Sequence, residues 1–324
     1  MTPPPTLPAP PSLKETVMAL FNFRRKDDAP AAGHPSGQQL EAFLKGYSIE
    51  VMPRTAEKVE NFRDILPAGT RVYVAHIEGT PIEDMVATAK RIGAEGYSVM
   101  PHFPARIIKD KATLTDWVAR YKDVGVRQGL LLAGGVAQPV GDFATSMQLL
   151  ESGAFSGFDR LHVAGHPEGN RDIDPDGSDR MVMEAARWKS AFMDRTDARM
   201  AMATQFCFDG QPVIDWVTRL QAEGIKLPVH IGIAGPAKLQ TLIKFAIACG
   251  VGPSLRVLQK RAMDVTKLLL PYEPTEILET LAGHKAATPG FGIEQVHFFP
   301  LGGIKTNAQW VTDNGGASGV PANA

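Results

Sequence analysis

Arg71-Val-Tyr-Val-Ala-His76, Pro81-Ile-Glu-Asp-Met-Val-Ala-Thr-Ala-Lys-Arg-Ile92 and Gly96-Tyr-Ser-Val-Met-Pro101 follow one another within residues 71–101 and decide the fold. In the middle run Ile82, Met85, Val86 and Ala89 recur at steps of three and four, the spacing of one helical face. The runs on either side are short and β-rich. Together they read as strand, helix, strand, with Gly93 as a helix stop. The pattern continues in both directions. Further strand candidates are Tyr47–Val51, Gly129–Ala133, Arg160–Ala164, Met200–Gln205, Val229–Ile233 and Val296–Phe299. Helix-like segments separate them, and Gly224 and Gly250 close two of these. Eight strands, each followed by a helix, imply a closed parallel barrel, because right-handed crossovers put every helix outside. The expected fold is therefore a (β/α)8 TIM barrel, with an open doubly wound sheet as the alternative.

A barrel needs about 250 residues, so a chain of 324 leaves room for one such domain and two tails. The first 40 residues hold eight of the 25 prolines and no packable face. Residues 1–45 are thus expected to be a Pro-rich extension, 46–312 the catalytic barrel and 313–324 a loose tail. Within the extension, Val17, Leu20, Phe21 and Arg24 share one helical face that suits docking on the body or on a partner subunit. Nothing resembles a signal peptide or a membrane span. A formal net charge of −1 argues against nucleic acid or an anionic membrane as the main partner. Cys207 and Cys249 form neither a disulfide framework nor a ligand cluster, which fits a reducing cytoplasm.

Chemistry in such a barrel gathers where strands end and the following loops begin. The residues there are Glu50, His76, His102, Gly134-Gly135, His166-Pro167-Glu168, Gln205, Gly232 with Gly235, and Gly302-Gly303. Singly, each has a structural explanation, since strand-end histidines form hydrogen bonds and glycines make turns. Jointly they form a ring of polar and small groups around one pocket. Glu50, ending the apolar run Tyr47-Ser-Ile-Glu-Val-Met52, stands out among them.

Several of these words, in order, resemble the methylenetetrahydrofolate reductase family in its short bacterial form. They are Ile49-Glu-Val-Met-Pro-Arg-Thr55, Met100-Pro-His-Phe103, His166-Pro-Glu168, Ala203-Thr-Gln-Phe-Cys-Phe-Asp209, Ile231-Gly-Ile233 and Val296-His-Phe-Phe-Pro-Leu301. The resemblance spans about residues 46–312 and implies interconversion of 5,10-methylenetetrahydrofolate and 5-methyltetrahydrofolate by hydride transfer through FAD, with NAD(P)H as electron donor. It assigns Glu50 to protonation of the folate N5, a role that calls for burial to raise its pKa towards neutrality. It assigns Gln205 to the pterin, and Gly232, Ile233, Phe299 and Lys305 to the folate site. His102, Gly134, Gly135, His162, His166 and Lys189 fall to the flavin. A tetrahydrofolate derivative is the implied partner, and a homo-oligomer is compatible with it.

The chain also departs from the family pattern. Ala133-Gly134-Gly135 replaces an Arg-Gly-Asp word whose acid touches pterin and flavin, and Gly303 replaces a folate-binding Arg. A flavin-independent, nicotinamide-linked folate reductase therefore stays open, as does a non-enzymatic folate-binding protein. A metal-dependent barrel hydrolase is opposed by the absence of His-x-His on the first strand. The loop Asn170–Asp179 begins like a calcium loop but has Met183 at its twelfth place. Ser178 or Asp179 is instead expected to cap the next helix.

Overall fold

The computed structural model describes residues 37–249, 252–263 and 270–316. The Pro-rich stretch through residue 36, its amphipathic segment, Gly250 and the tail from residue 317 lie outside the described residues. The chain divides into two units, Met1–Gly33 and His34–Ala324, and only the second is described below. Eight parallel strands close it into a barrel in sequence order. They are β1 (Ser48–Val51), β2 (Arg71–Val74), β3 (Ser98–Pro104), β4 (Gln128–Leu132), β5 (Arg160–Gly165), β6 (Arg199–Cys207), β7 (Val229–Ala234) and β8 (Ile293–Phe299). Closure is made where Ser48 pairs with His297 and Ile49 with Phe298.

Alternation along the strands explains why the barrel closes. Ile49 and Val51, Val72 and Val74, Leu161 and Val163, Ile231 and Ile233, and Val296 and Phe298 all belong to the large hydrophobic layer beneath the helices. Successive side chains point to opposite faces of a strand, so the residues between them enter the barrel. Helices supply the other half of the layer. In α3 (Ile82–Ala94) the buried residues are Met85, Ala89 and Ile92. An N-terminal helix, α1 (Gly37–Leu44), buries Leu40, Phe43 and Leu44. No helix among the described residues is long and apolar enough to cross a membrane.

Three expectations about the connections need correction. Between β1 and β2 there is no full helix, only α2 (Pro53–Ala56) and a single 3₁₀ turn, Phe62–Asp64. Asn61 caps the start of that turn, its side chain accepting a hydrogen bond from Arg63 N. Next, Gly93 lies inside α3, and the chain turns at Gly96, whose φ of 95° favours glycine. Gly224 does stop a helix, with φ 74°. Finally, α6 (Arg180–Phe192) is not capped by the side chain of Ser178 or Asp179. Asp174 does that work, its carboxylate accepting from Met181 N at 2.9 Å and Val182 N at 3.0 Å.

The remaining helices are α4 (Lys111–Asp123), α5 (Ser146–Glu151), α7 (Gly210–Ala222), α8 (Leu239–Ala248), α9 (Gly252–Met263), α10 (Thr275–Ala287) and α11 (Ile304–Asp313). Between β7 and β8 the described residues form α8, α9 and α10. Under β3 and β4, Phe103 packs edge-on against Tyr121, Phe155 and Phe158, with centroids 4.9 to 6.3 Å apart. Gly129 makes room for it, since a Cβ there would lie 2.9 Å from the Phe103 ring. Phe103→Ala is expected to lower the unfolding free energy by about 3–5 kcal/mol, from lost transfer energy plus a cavity. Urea denaturation with an unchanged slope checks this, and a loss below about 1 kcal/mol would show that the cluster collapses to fill the gap.

Candidate functional site

Barrel interiors are commonly filled by branched aliphatic side chains in layers. This one is not. The apolar cluster inside is limited to Tyr73, Met100, Leu130 and Ala203, with Leu132 packed against it. Buried polar groups occupy most of the remaining positions, including Ser48, Arg71, His102, Arg160, His162, His230 and His297.

At the C-terminal mouth Glu50 rises from β1 between two imidazoles. Its Oε2 lies 3.2 Å from His102 Nε2 and 3.6 Å from His297 Nε2. Neither nitrogen has hydrogen-bonding geometry to a partner, so these are close polar contacts. His297 is oriented from behind by Ser48 Oγ, 2.9 Å from its Nδ1. The carboxylate keeps 18% exposure, which leaves it open to a ligand at the mouth. Burial pushes the Glu50 carboxyl up, but attraction from His102 and then His297 outweighs it and holds the pKa at about 2. The expectation that burial alone would bring it towards neutrality is therefore overturned, because the imidazoles reverse the sign. Burial also keeps His297 below its ordinary value. Glu50 and His297 lie close enough for their titrations to be coupled.

Deeper in the barrel, Tyr73 Oη lies 2.6 Å from His162 Nδ1. The His162 ring meets that of His230 edge-on at 4.5 Å. His230 Nε2 then lies 2.7 Å from Glu294 Oε2, whose side chain is half exposed at the opposite end. Burial, aided by His230 and two arginines, drives His162 well below the usual histidine value. His230 is held at about 4, with burial the main cause.

The other expected site residues separate into two groups. His166 and Lys189 meet near the end of β5. Burial, then the Lys189 charge, lowers His166 to about 4. Lys189 is 6% exposed, and burial brings its ammonium down to about 8. Its Nζ donates to Ala164 O at 2.9 Å. Phe299 stands at the mouth with its ring 4.9 Å from His297. Gln205 is half-buried, its Oε1 accepting from Phe206 N at 3.2 Å beside an irregularity in β6. Gly135 faces open space.

The second group lies elsewhere or has another task. His162 is fully buried inside the barrel and does not line the mouth as expected for a flavin contact. Ile233 is fully buried in the hydrophobic layer under the helices, because the alternation that turns Gly232 inward turns Ile233 outward. Gly232 has a packing reason of its own, since a Cβ there would lie 2.5 Å from Thr204 O. Gly134 has φ 97° and serves the turn after β4. Lys305 is exposed on α11. His76 stacks on Trp117 and holds Thr80 O at 2.9 Å. Gly235 and Gly302 let the last two loops pack together, against Asn307 and Pro236.

A depression of about 590 Å³ lies at the opposite end, between Gln221–Val229 and Gly290–Glu294. The Glu50 cluster stands at the other mouth. The sequence reading missed Tyr73, His230 and His297. Counting every second residue of each strand, from Glu50 to Ser48 or from His162 to Arg160, would have exposed the polar interior.

Gly232→Ala is expected to destabilise the barrel by about 1–3 kcal/mol, because backbone must shift to admit the methyl. A melting temperature within a degree of wild type would refute this. The histidines give a pH dependence. His162, His166 and His230 have folded pKa values below the ordinary 6.5, so the unfolded chain binds more protons below that pH. Stability is expected to be full above about pH 6.5 and to fall as pH drops towards 4, with Glu50 adding a loss between its ordinary 4.5 and about 2. Unfolding free energies measured from pH 8 to 4 test this. A flat profile across pH 6.5 to 4.5 would exclude it.

No family model matches the chain. Among solved structures it is similar to the carboxyl transferase domain of Rhizobium etli pyruvate carboxylase, at 9% identity over 91% of this chain and 50% of that one, with TM-score 0.45. A psychrophilic family 10 endo-β-1,4-xylanase matches at 14% identity over 80% and 88% of the two chains, with TM-score 0.44. A mandelate racemase/muconate lactonizing enzyme from Bordetella bronchiseptica RB50 matches at 12% identity over 83% and 58%, with TM-score 0.39.

Proposed function

We propose that the C-terminal mouth of the barrel binds a reduced folate and interconverts its 5,10-methylene and 5-methyl forms, with Glu50, His102 and His297 as the acid–base unit. The observation that carries this reading is a partly exposed carboxylate within 3.2 and 3.6 Å of two imidazoles at the mouth. It coincides with the family words at the ends of β1, β3, β5, β6, β7 and β8. In the forward direction, N5 of the folate must take a proton for the five-membered ring to open to an iminium, and hydride then adds to the exocyclic carbon. At about 2, the Glu50 carboxyl alone holds no proton at neutral pH. The proton is relayed through a neighbouring imidazole, with the carboxylate placed to stabilise the positive charge while it passes. In reverse, the same unit accepts it. Gln205, at the end of β6, is the pterin contact in this reading, since an amide both donates and accepts.

The flavin fits part of the site. Lys189 is a buried cation whose only hydrogen bond among the described residues is to a backbone carbonyl. With His166 beside it and open space at Gly135, it would hold a cofactor's diphosphate. FAD held there would supply the hydride, and His102 at the mouth is among the residues that would hold it. The structural tasks of His162 and Gly134 favour a second reading, in which nicotinamide serves the folate without flavin. Cys207 and Cys249 are both unpaired, which supports a reducing cytoplasmic setting.

Glu50→Gln is expected to keep the fold and lower folate turnover by about a hundred- to ten-thousandfold, because the amide preserves shape and breaks the proton unit. Turnover of 5-methyl- and methylenetetrahydrofolate is measured with added flavin and with NADH and NADPH. Near-normal activity in the variant removes Glu50 from the mechanism, and no turnover by the parent protein with any donor removes the folate reading. A visible spectrum of the purified protein separates the flavin-bound reading from the nicotinamide one.

A further inference from the structure

We propose that the N-terminal mouth of the barrel, remote from Glu50, binds a phosphate group between Arg71, Arg160 and Arg199. These arginines are the first residues of β2, β5 and β6. Arg160 pairs in register with Arg199 on one side and Gln128 on the other. The positions alternate with Tyr73, His162 and Ala201, so all three belong to the ring that faces into the barrel. Arg71 reaches across this ring to bond Gln128 Oε1 at 2.9 Å and Gln295 Oε1 at 3.0 Å.

Arg160 is the telling member. It is 8% exposed and its guanidinium makes no hydrogen bond or ion pair among the described residues, while none of its nitrogens is fully sealed from solvent. A cation of such low exposure, set beside two further guanidiniums, is unfavourable unless an anion or acceptors meet it. The charges acting on it are the guanidiniums of Arg71 and Arg199, the carboxylate of Glu294 and the Tyr73 phenol. Glu294 is already engaged by His230 at 2.7 Å, and the Arg71 fork is taken up by two glutamines. Burial and the two neighbouring cations depress Arg160 to about 10, the direction expected where positive charge lacks compensation. His230 and His162, the other titratable groups facing this end, are neutral at pH 7 and supply no negative charge.

An anion is therefore the missing component, and guanidinium forks select an oxyanion through paired N–H donors. Arg199 is exposed, so the ring opens to solvent on its side. A tetrahedral phosphate can take donors from three neighbouring guanidiniums, whereas a planar carboxylate is filled by one or two.

The test uses the full chain and inorganic phosphate, with sodium chloride at matched ionic strength as control. Phosphate at about a hundredfold excess over its Kd is expected to raise the melting temperature by on the order of 5 °C more than chloride does. Arg160→Gln should abolish the difference. If that variant fails to fold, Arg199→Gln, at an exposed position, should weaken phosphate binding at least tenfold in calorimetric titration. A wild-type response no larger than that to chloride overturns the proposal. So does an unchanged phosphate response in Arg199→Gln together with one in folded Arg160→Gln. Because none of these residues is near Glu50, loss of phosphate binding with folate turnover retained would support this site independently of the folate reading.

Discussion

Closing eight parallel strands on themselves sends every second side chain into an enclosed space, and in this chain that space holds four imidazoles, two arginines and a carboxylate. Water cannot freely solvate them, so each must be met by another protein group or stay neutral. The pairings observed follow from that requirement. Ser48 meets His297, Glu50 meets His102 and His297, Tyr73 meets His162, His230 meets Glu294, and Arg71 meets two glutamines. Each joins different strands, some neighbouring and some across the barrel.

Such an interior cannot be the main source of stability, since paired buried charges roughly balance their desolvation cost. The hydrophobic layer between strands and helices supplies it instead. Burying a side chain such as Ile231 or Phe298 contributes about 1.5–3 kcal/mol, and this layer contains dozens of such residues. The division of labour is spatial. Outward residues hold the barrel closed, and inward residues are released for chemistry at one mouth and charge at the other.

The same division explains what the sequence discloses. The strands are legible because their outward residues are β-branched and aliphatic, as in Val72 and Val74 or Ile231 and Ile233. Glu50 is legible because an acid inside such a run is anomalous. The coupling of Glu50 to His297 is not, since those residues are 247 positions apart and meet only when β8 closes on β1. Ile233 illustrates the opposite failure. A matched word suggested a folate contact, but strand alternation, readable in the same residues, sends it outward. Asp174 was obscured differently, because it caps α6 from seven residues before Met181, beyond the reach of a local capping pattern.

The lowered Glu50 changes what an acid at this mouth must be. A lone carboxyl in an apolar pocket donates a proton by being made reluctant to ionise, and the barrel would then have to exclude positive charge from its neighbourhood. Here two imidazoles stand within 3.6 Å of the carboxylate, and their attraction makes ionisation easy, so the carboxyl alone is not the proton donor near neutral pH. Imidazole is better suited to exchanging protons near neutral pH than a free carboxylic acid. Ser48 and the register of β1 against β8 fix the ring on one side, so the closure that defines the fold also sets the geometry of the acid. An error of one residue in that closure would turn His297 into the hydrophobic layer and place Phe298 beside Glu50, leaving the carboxylate with burial and half of its compensation.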